Sequence, residues 1–229
     1  MEDNSREIVI LLHGIGRTPF DMLAMAIGAK NAGFRVRNWG YRSRRKSILE
    51  LASELEEEVQ RLSSVSTIHF VGHSMGGLVA RALLATRPPD NVGRLVMIGT
   101  PNAGSCVAEF LGEWWLYKKL MGPAGQDLRS GPRGIARTLG IPQCEFGIIA
   151  GGTGKRWGMN PFIPGDNDAT VAVAETYLDG ALDFLLLPYP HPFIQSFPRT
   201  IRNTIHFLRH GHFLEGRRGC TCHGSASAS

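Results

Sequence analysis

A serine lies in a short run whose glycine spacing is typical of a nucleophile presented by a sharp turn. Residues 72–76 read Gly-His-Ser-Met-Gly, with Ser74 at the centre. A serine hydroxyl is a weak nucleophile and must stand clear of the backbone, where a base can reach it. So tight a turn leaves no room for side chains two residues before or after the serine, which explains glycine at both places. The run predicts acyl-transfer chemistry at Ser74.

The elements around this run separate it from a chance match in a glycine-rich chain. Residues 67–71, Thr-Ile-His-Phe-Val, are short and apolar, as expected of a buried strand. Residues 75–86 are small or apolar and are followed by two prolines, which predicts a helix that ends there. The N-terminus of that helix would face the serine, where negative charge is favoured.

Strands and helices are expected to alternate along most of the chain. Apolar, β-branched runs predict strands, and residues 47–62 carry an apolar stripe at helical spacing. The expected strands are 7–12, 34–39, 67–71, 94–99, 145–150 and 183–187, and the expected helices are 19–32, 47–62, 75–86 and 200–208. This order predicts an α/β fold, with a mainly parallel sheet of about six strands covered by helices on both faces.

Three motifs together resemble the bacterial lipase and esterase branch of the α/β-hydrolase superfamily. They are His-Gly-Ile-Gly at 13–16, Gly-His-Ser-Met-Gly-Gly at 72–77 and Gly-Thr-Pro-Asn-Ala-Gly-Ser at 99–105, in the order of the family. The resemblance covers about residues 8–213. It implies the α/β-hydrolase fold and hydrolysis of a carboxylic ester through an acyl-enzyme, with no cofactor and no metal.

The resemblance also implies an acid and a base, because this fold places Ser, then Asp or Glu, then His along the chain. Residues 167–171 are similar to the family's Asn-Asp-Gly-x-Val run, with Ala169 in place of glycine. Asp168 is therefore the expected acid, and Asp166 is its competitor. His191 follows the last expected strand and is the expected base.

Two other histidines compete with His191 for the role of base. His206 and His210 fall in the last expected helix, one turn apart. A surface or packing role is the simpler interpretation for both, although a pair at this spacing could bind a metal.

The family stabilises the tetrahedral oxyanion with two backbone N–H groups. By resemblance these belong to Met75, directly after the nucleophile, and to Ile15, in the loop after the first strand. His13 is then expected to shape that loop and not to act as the base.

Residues 102–142 interrupt the alternation and are rich in aromatic residues, glycine and proline. They are expected to form an insertion or partial lid within a single domain spanning residues 1–215. The candidate pocket residues are Phe20, Trp114, Trp115 and Tyr117. The alternative is that Phe110, Trp114 and Trp115 close the core. The small size of the chain for this fold favours short to medium acyl chains.

Other functions fit the same residues. A thioesterase or an acyltransferase would use the same nucleophile, acid and base. A catalytically silent member would bind a ligand or a protein partner instead.

The charge of the chain bears on its partners. There are 25 Lys and Arg against 20 Asp and Glu, a formal charge of +5, and much of the excess lies in residues 35–46. Such a segment is usually a solvated loop, but it can also associate weakly with an anionic membrane surface. No nucleic-acid-binding motif accompanies it. The expected partner is a small ester or lipid, and the sequence does not indicate an oligomeric state.

The ends of the chain and the cysteines complete the sequence-based picture. Residues 1–7 are polar, so a cytoplasmic location is expected unless a leader has been removed. Four scattered cysteines predict no disulfide framework. Residues 220–223, Cys-Thr-Cys-His, could bind a metal but lack a second ligand pair, and they lie in an expected disordered tail, 216–229.

Overall fold

The computed structural model describes residues 7–62 and 64–215. Its strands form one six-stranded sheet in the order β2-β1-β3-β4-β5-β6, and every neighbouring pair is parallel. The strands are β1 Glu7–Leu12, β2 Arg35–Trp39, β3 Thr67–His73, β4 Val92–Ile98, β5 Phe146–Gly151 and β6 Asp183–Leu187. The α/β fold with about six mainly parallel strands is confirmed.

Helices cover both faces of the sheet, as predicted. They are α1 Leu23–Asn31, α2 Ile48–Gln60, α3 Met75–Thr86, α4 Cys106–Leu111, α5 Trp115–Asp127, α6 Val173–Thr176 and α7 Pro198–His210. One apolar core includes the buried stripes of α2 and α3, and the second includes buried residues of α1 and α7. Two separate cores follow from strands whose side chains alternate between the two faces.

Parallel strands end at the same edge of a sheet, here called the carboxyl edge, and begin at the opposite one, the amino edge. The segments that leave the strands at the carboxyl edge start at His13, Gly40, Ser74, Gly99, Gly152 and Pro188. Each candidate catalytic residue falls in one of them. In open parallel sheets this edge is where ligands bind.

Three stretches differ from the expected elements. The expected helix 19–32 is a 3-10 helix, Pro19–Met22, followed by α1, because Met22 leaves the α region at φ −98° and ψ 7°. The expected insertion contains α4 and α5, and α5 is kinked at Gly122, where φ is 63° and Pro123 follows. A short helix, α6, and a 3-10 helix, Ile194–Ser196, were not predicted.

Two expectations for the C-terminal residues fall outside the described structure. The tail 216–229 and its Cys220, Cys222 and His223 are not among the described residues. Within the part of the chain that is described, no helix is both long and apolar enough to cross a membrane.

Buried histidines make the fold sensitive to acid. Burial lowers the pKa of His69 to about 4, and the charge of Arg94 adds to this, although the Glu7 carboxylate lies 3.4 Å from its Nε2. Burial lowers the pKa of His13 and His73 as well. The unfolded chain therefore binds more protons than the folded one below about pH 6.5, and the free energy of unfolding falls as the pH falls.

For His69 alone, the loss between about pH 7.5 and about pH 5 is expected to be about 2 kcal/mol. Urea unfolding at the two pH values measures it. The His69→Gln variant should lose part of this pH dependence, and an equal slope in both proteins would contradict the assignment to His69.

Candidate active site

Ser74 lies in the turn between β3 and α3, in a strained conformation. Its backbone has φ 56° and ψ −124°, a region that residues other than glycine rarely adopt. A Cβ on Gly72 would collide with the backbone of Gly76 and Gly77, and one on Gly76 with the carbonyl groups of Leu12 and His13. The steric reason expected for glycine on both sides of the serine is therefore present.

Two hydrogen bonds link the three residues that the resemblance singled out. The Ser74 hydroxyl lies 3.0 Å from Nε2 of His191, and Nδ1 of His191 lies 2.7 Å from Oδ2 of Asp168. Because a carboxylate only accepts, Nδ1 carries a proton, and neutral His191 then presents an unprotonated Nε2 to the hydroxyl. The arrangement can take a proton from the serine and stabilise the resulting imidazolium.

The loop around Asp168 orients the carboxylate through the backbone. Its second oxygen, Oδ1, accepts from the N–H groups of Thr170, at 3.0 Å, and Val171, at 2.7 Å. The N–H of His191 donates to the carbonyl oxygen of Asp168 at 2.9 Å. The side chain of Asp168 is buried, so these bonds and the bond to His191 replace the water that it gives up.

The backbone conformation of Ala169 explains why the family that this sequence resembles often has glycine at this position. Its φ is 79°, in the left-handed region, where a Cβ costs about 1–2 kcal/mol. We expect Ala169→Gly to raise the free energy of unfolding by roughly 0.5–1 kcal/mol, since glycine also loses more backbone entropy on folding. Thermal or urea unfolding measures the change, and an Ala82→Gly control, in the interior of α3, should be destabilised instead.

The competing acid occupies a different place. Asp166 accepts from the N–H groups of Thr153 and Gly154, at 2.7 and 2.8 Å, and from the Thr153 hydroxyl at 3.1 Å. It therefore holds the segment that follows β5, and among the described contacts none joins it to a histidine ring.

The competing histidines lie at the other end of the sheet. His206 and His210 are in the last turns of α7, where the carbonyl group of Leu208 accepts from Arg94, near the start of β4. His210 lines a cavity of about 860 Å³ at this amino edge, together with Glu7, His69 and Glu145. Both histidines are thus on the opposite side of the molecule from Ser74.

The two expected oxyanion donors belong to two segments that meet at the serine. Met75 is the first residue of α3, and the first N–H groups of a helix have no partner within it. Gly14 packs so closely that a Cβ added to it would lie 3.3 Å from Cβ of Ser74, which places Ile15 next to the serine.

Residues of the segment after β2 hold the loop that carries Ile15. Tyr41 stacks on the His13 ring, with centroids 4.1 Å apart, and its hydroxyl donates to the carbonyl group of His13. The Ser43 hydroxyl accepts from the N–H of Gly16 at 3.0 Å. Neither contact could be predicted, because Tyr41 and Ser43 lie within the basic segment. The ring of His13 therefore packs within the loop that it was expected to shape.

His73 forms a hydrogen bond to the backbone of His191, the expected base. Its Nε2 lies 3.0 Å from the carbonyl oxygen of His191, a bond in which the histidine donates. Burial and the neighbouring His191 lower the pKa of His73 well below its usual value, so the ring stays neutral. Its place directly before the nucleophile was the sequence signal for a role that was not predicted.

Arg81 fixes the insertion to α3. Its guanidinium donates to the carbonyl groups of Asn102, Leu139 and Gly140, at 2.9, 2.6 and 2.9 Å. Both ends of the expected insertion 102–142 are therefore held by one buried side chain.

The aromatic residues of the insertion do not close the core. Phe110, Trp114 and Trp115 are 74%, 58% and 72% exposed, so that alternative is wrong. Tyr117 is half-buried against the core, with its hydroxyl 3.4 Å from the carbonyl oxygen of Gly125. Phe20 is 80% exposed in the 3-10 helix that follows the loop of Ile15. The large side chains Phe110, Trp115, Leu116 and Leu120 of α4 and α5 are exposed, whereas the small Ala108 and Ala124 of the same helices are buried in the core.

Comparisons with known proteins agree with this architecture. A family model described as the alpha/beta hydrolase fold matches residues 7–122. The mature lipase of Bacillus licheniformis is similar in structure, with a TM-score of 0.69 and 20% identity over 93% of this chain and 95% of the lipase. No protein matches in a search of curated sequences.

Two esterases are also similar in structure. A metagenomic carboxyl esterase has a TM-score of 0.64 and 16% identity over 83% of this chain and 65% of its own. A thermophilic esterase from Thermogutta terrifontis has a TM-score of 0.57 and 17% identity over 90% of each chain.

Proposed function

Because the chain belongs to the α/β-hydrolase fold family, we propose that it is a carboxylic ester hydrolase with Ser74 as nucleophile, His191 as base and Asp168 as acid. The observation that carries the proposal is the pair of hydrogen bonds from Ser74 to His191 and from His191 to Asp168. Their order and lengths are those required to activate a serine.

The first half of the reaction forms an acyl-enzyme. Oγ of Ser74 attacks the ester carbonyl carbon while its proton moves to Nε2 of His191. The N–H groups of Ile15 and Met75 donate to the oxyanion that forms on the carbonyl oxygen. The tetrahedral intermediate then collapses, and the alcohol leaves with the proton that His191 returns to it.

The second half regenerates the enzyme. Water gives a proton to Nε2 of His191 and attacks the acyl carbon, and the same two N–H groups stabilise the second oxyanion. The carboxylic acid leaves as Oγ of Ser74 recovers its proton from His191. Asp168 stays ionised throughout and stabilises the imidazolium.

The insertion supplies the wall of the substrate pocket in this proposal, within one domain spanning residues 1–215. Phe20 lies in the 3-10 helix that follows the loop of Ile15, and Trp114, Trp115 and Tyr117 lie at the start of α5. Exposed rings suit an open, shallow site, which favours short to medium acyl chains over long ones.

A panel of p-nitrophenyl esters of increasing acyl length tests the proposal, with matched thioesters measured beside it. We expect the highest kcat/KM at short or medium length and a preference for the oxygen ester. Higher values for thioesters would indicate a thioesterase, and ester product formed only with an added alcohol would indicate an acyltransferase.

A second measurement separates an enzyme from a silent member. A fluorophosphonate probe should add to Ser74 in a one-to-one ratio, as detected by mass spectrometry of the labelled peptide. No labelling and no hydrolysis of any panel member would contradict the proposal and favour a ligand-binding role.

A further inference from the structure

The carboxyl edge carries an unusual combination of exposed aromatic rings and unpaired cations. We propose that this edge is a docking surface for an anionic lipid membrane. The surface does not depend on the chemistry of Ser74, since the residues that form it are outside the hydrogen-bonded triad.

Exposed aromatic side chains lie in segments held next to the triad: Trp157 and Phe162 flank Asn160, which bonds to Asn167 beside Asp168, and Phe193 follows His191 by two residues. Apart from Tyr177, seven aromatic side chains are more than half exposed, namely Phe20, Phe110, Trp114, Trp115, Trp157, Phe162 and Phe193. Tyr177 is also exposed, but it stacks on Phe184 of β6. Single exposed apolar residues are ordinary, but rings gathered at one edge mark an interaction surface. Tryptophan and phenylalanine are favoured where lipid headgroups meet acyl chains.

Cations accompany these rings. Arg42, Arg44 and Arg45 are exposed in the segment after β2, Lys119 lies 5.9 Å from the Trp115 ring centroid, and Lys155 and Arg156 directly precede Trp157. Within residues 7–62 and 64–215, none of the six forms an ion pair.

Several nearby carboxylates are already paired with other arginines. Glu109 and Glu113 are paired with Arg129, and Asp21 is paired with Arg17. The Asp166 carboxylate lies on the N–H of Gly154, next to Lys155, so the positive charge of this edge is concentrated in Arg42, Arg44 and Arg45. Such charge is attracted to anionic headgroups within about a Debye length.

A membrane fits this surface better than a nucleic acid. Bases stack on aromatic rings, but the aliphatic side chains of Leu116 and Leu120 on α5 are also about half exposed. Aliphatic groups have no partner on a nucleic acid, whereas they gain free energy on entering the acyl region of a bilayer.

The surface adjoins the candidate active site. The side chain of Arg44 lies within van der Waals reach of Gly16, in the loop of Ile15, and its backbone packs against Gly122 in the kink of α5. A membrane bound here would lie next to the loop that carries Ile15.

Vesicle sedimentation with the full-length Ser74→Ala protein tests the proposal without hydrolysis of the lipid. Vesicles of phosphatidylcholine with about one-third phosphatidylglycerol are compared with pure phosphatidylcholine. We expect binding to the anionic vesicles, little to the neutral ones, and release at about 0.5 M salt. Equal binding to both kinds of vesicle would overturn the proposal.

A charge-matched pair of variants locates the surface. Arg42→Gln with Arg45→Gln should weaken binding roughly tenfold or more, because each cation near the surface contributes. Lys30→Gln with Arg35→Gln removes the same charge from exposed positions near the amino edge and should change binding little. An equal loss in both variants would also overturn the proposal.

Two further outcomes are informative. Trp114→Ala with Trp115→Ala should weaken binding to the anionic vesicles at low salt, although no charge is removed, because the apolar contribution is lost, and circular dichroism checks that each variant is folded. A single-stranded oligonucleotide that binds more tightly than the vesicles at equal salt would overturn the proposal in favour of a nucleic-acid surface.

Discussion

Ser74→Ala is expected to lower kcat for ester hydrolysis by at least about 10⁴-fold, with a much smaller change in KM. Oγ of Ser74 is the atom that becomes acylated in the proposed reaction, and removing it leaves only the oxyanion donors and substrate binding. The fold should tolerate the change, because alanine keeps the Cβ and differs from serine by one oxygen. Steady-state kinetics with a p-nitrophenyl ester measure the effect.

A matched control separates the nucleophile from a general effect of serine removal. Ser53 is exposed on α2, and Ser53→Ala should keep the rate of the original protein. Similar rates for the Ser74→Ala and unmodified proteins would exclude Ser74 as the nucleophile.

His191→Ala should cause a loss of similar size, about 10⁴-fold in kcat, because nothing then takes the proton from Ser74. His206→Ala is its control, since the ring of His206 bonds to the carbonyl group of His212 at the opposite edge of the sheet. The rate of labelling by the fluorophosphonate probe should fall in His191→Ala and stay unchanged in His206→Ala.

Comparing His191→Ala with His206→Ala decides which histidine is the base. Full activity in His191→Ala, or an equal loss in His206→Ala, would rule out His191. Combining Ser74→Ala with His191→Ala should cost little more than either change alone, because residues that act as a unit are not additive.

Local chemistry explains which parts of the fold could be predicted. Residues 75–86 were assigned correctly to one helix because small apolar residues precede two prolines. The sharp turn at Ser74 was predicted from steric demands on Gly72 and Gly76 that act within a few residues. The pairing of Asp168 with His191 spans 23 residues, and only the order of motifs in a resembling family indicated it.

Contacts between distant segments could not be predicted. The bond from Tyr41 to His13 joins residues 28 apart, and a basic segment gives no reason to expect it. The exposure of Trp114 and Trp115 could not be predicted either, because hydrophobicity alone does not tell whether an insertion packs inward or faces water.

The segment between β2 and α2 contains both the contacts that position Ile15 and the arginines of the proposed membrane surface. Tyr41 and Ser43 alternate with Arg42, Arg44 and Arg45 over five residues. A membrane that binds the arginines and restrains this segment therefore also restrains the loop of Ile15. Membrane binding and the ordering of that loop are thermodynamically linked. The same substrate should thus be hydrolysed faster when presented in an anionic vesicle than when dispersed in water, even at equal occupancy of the site.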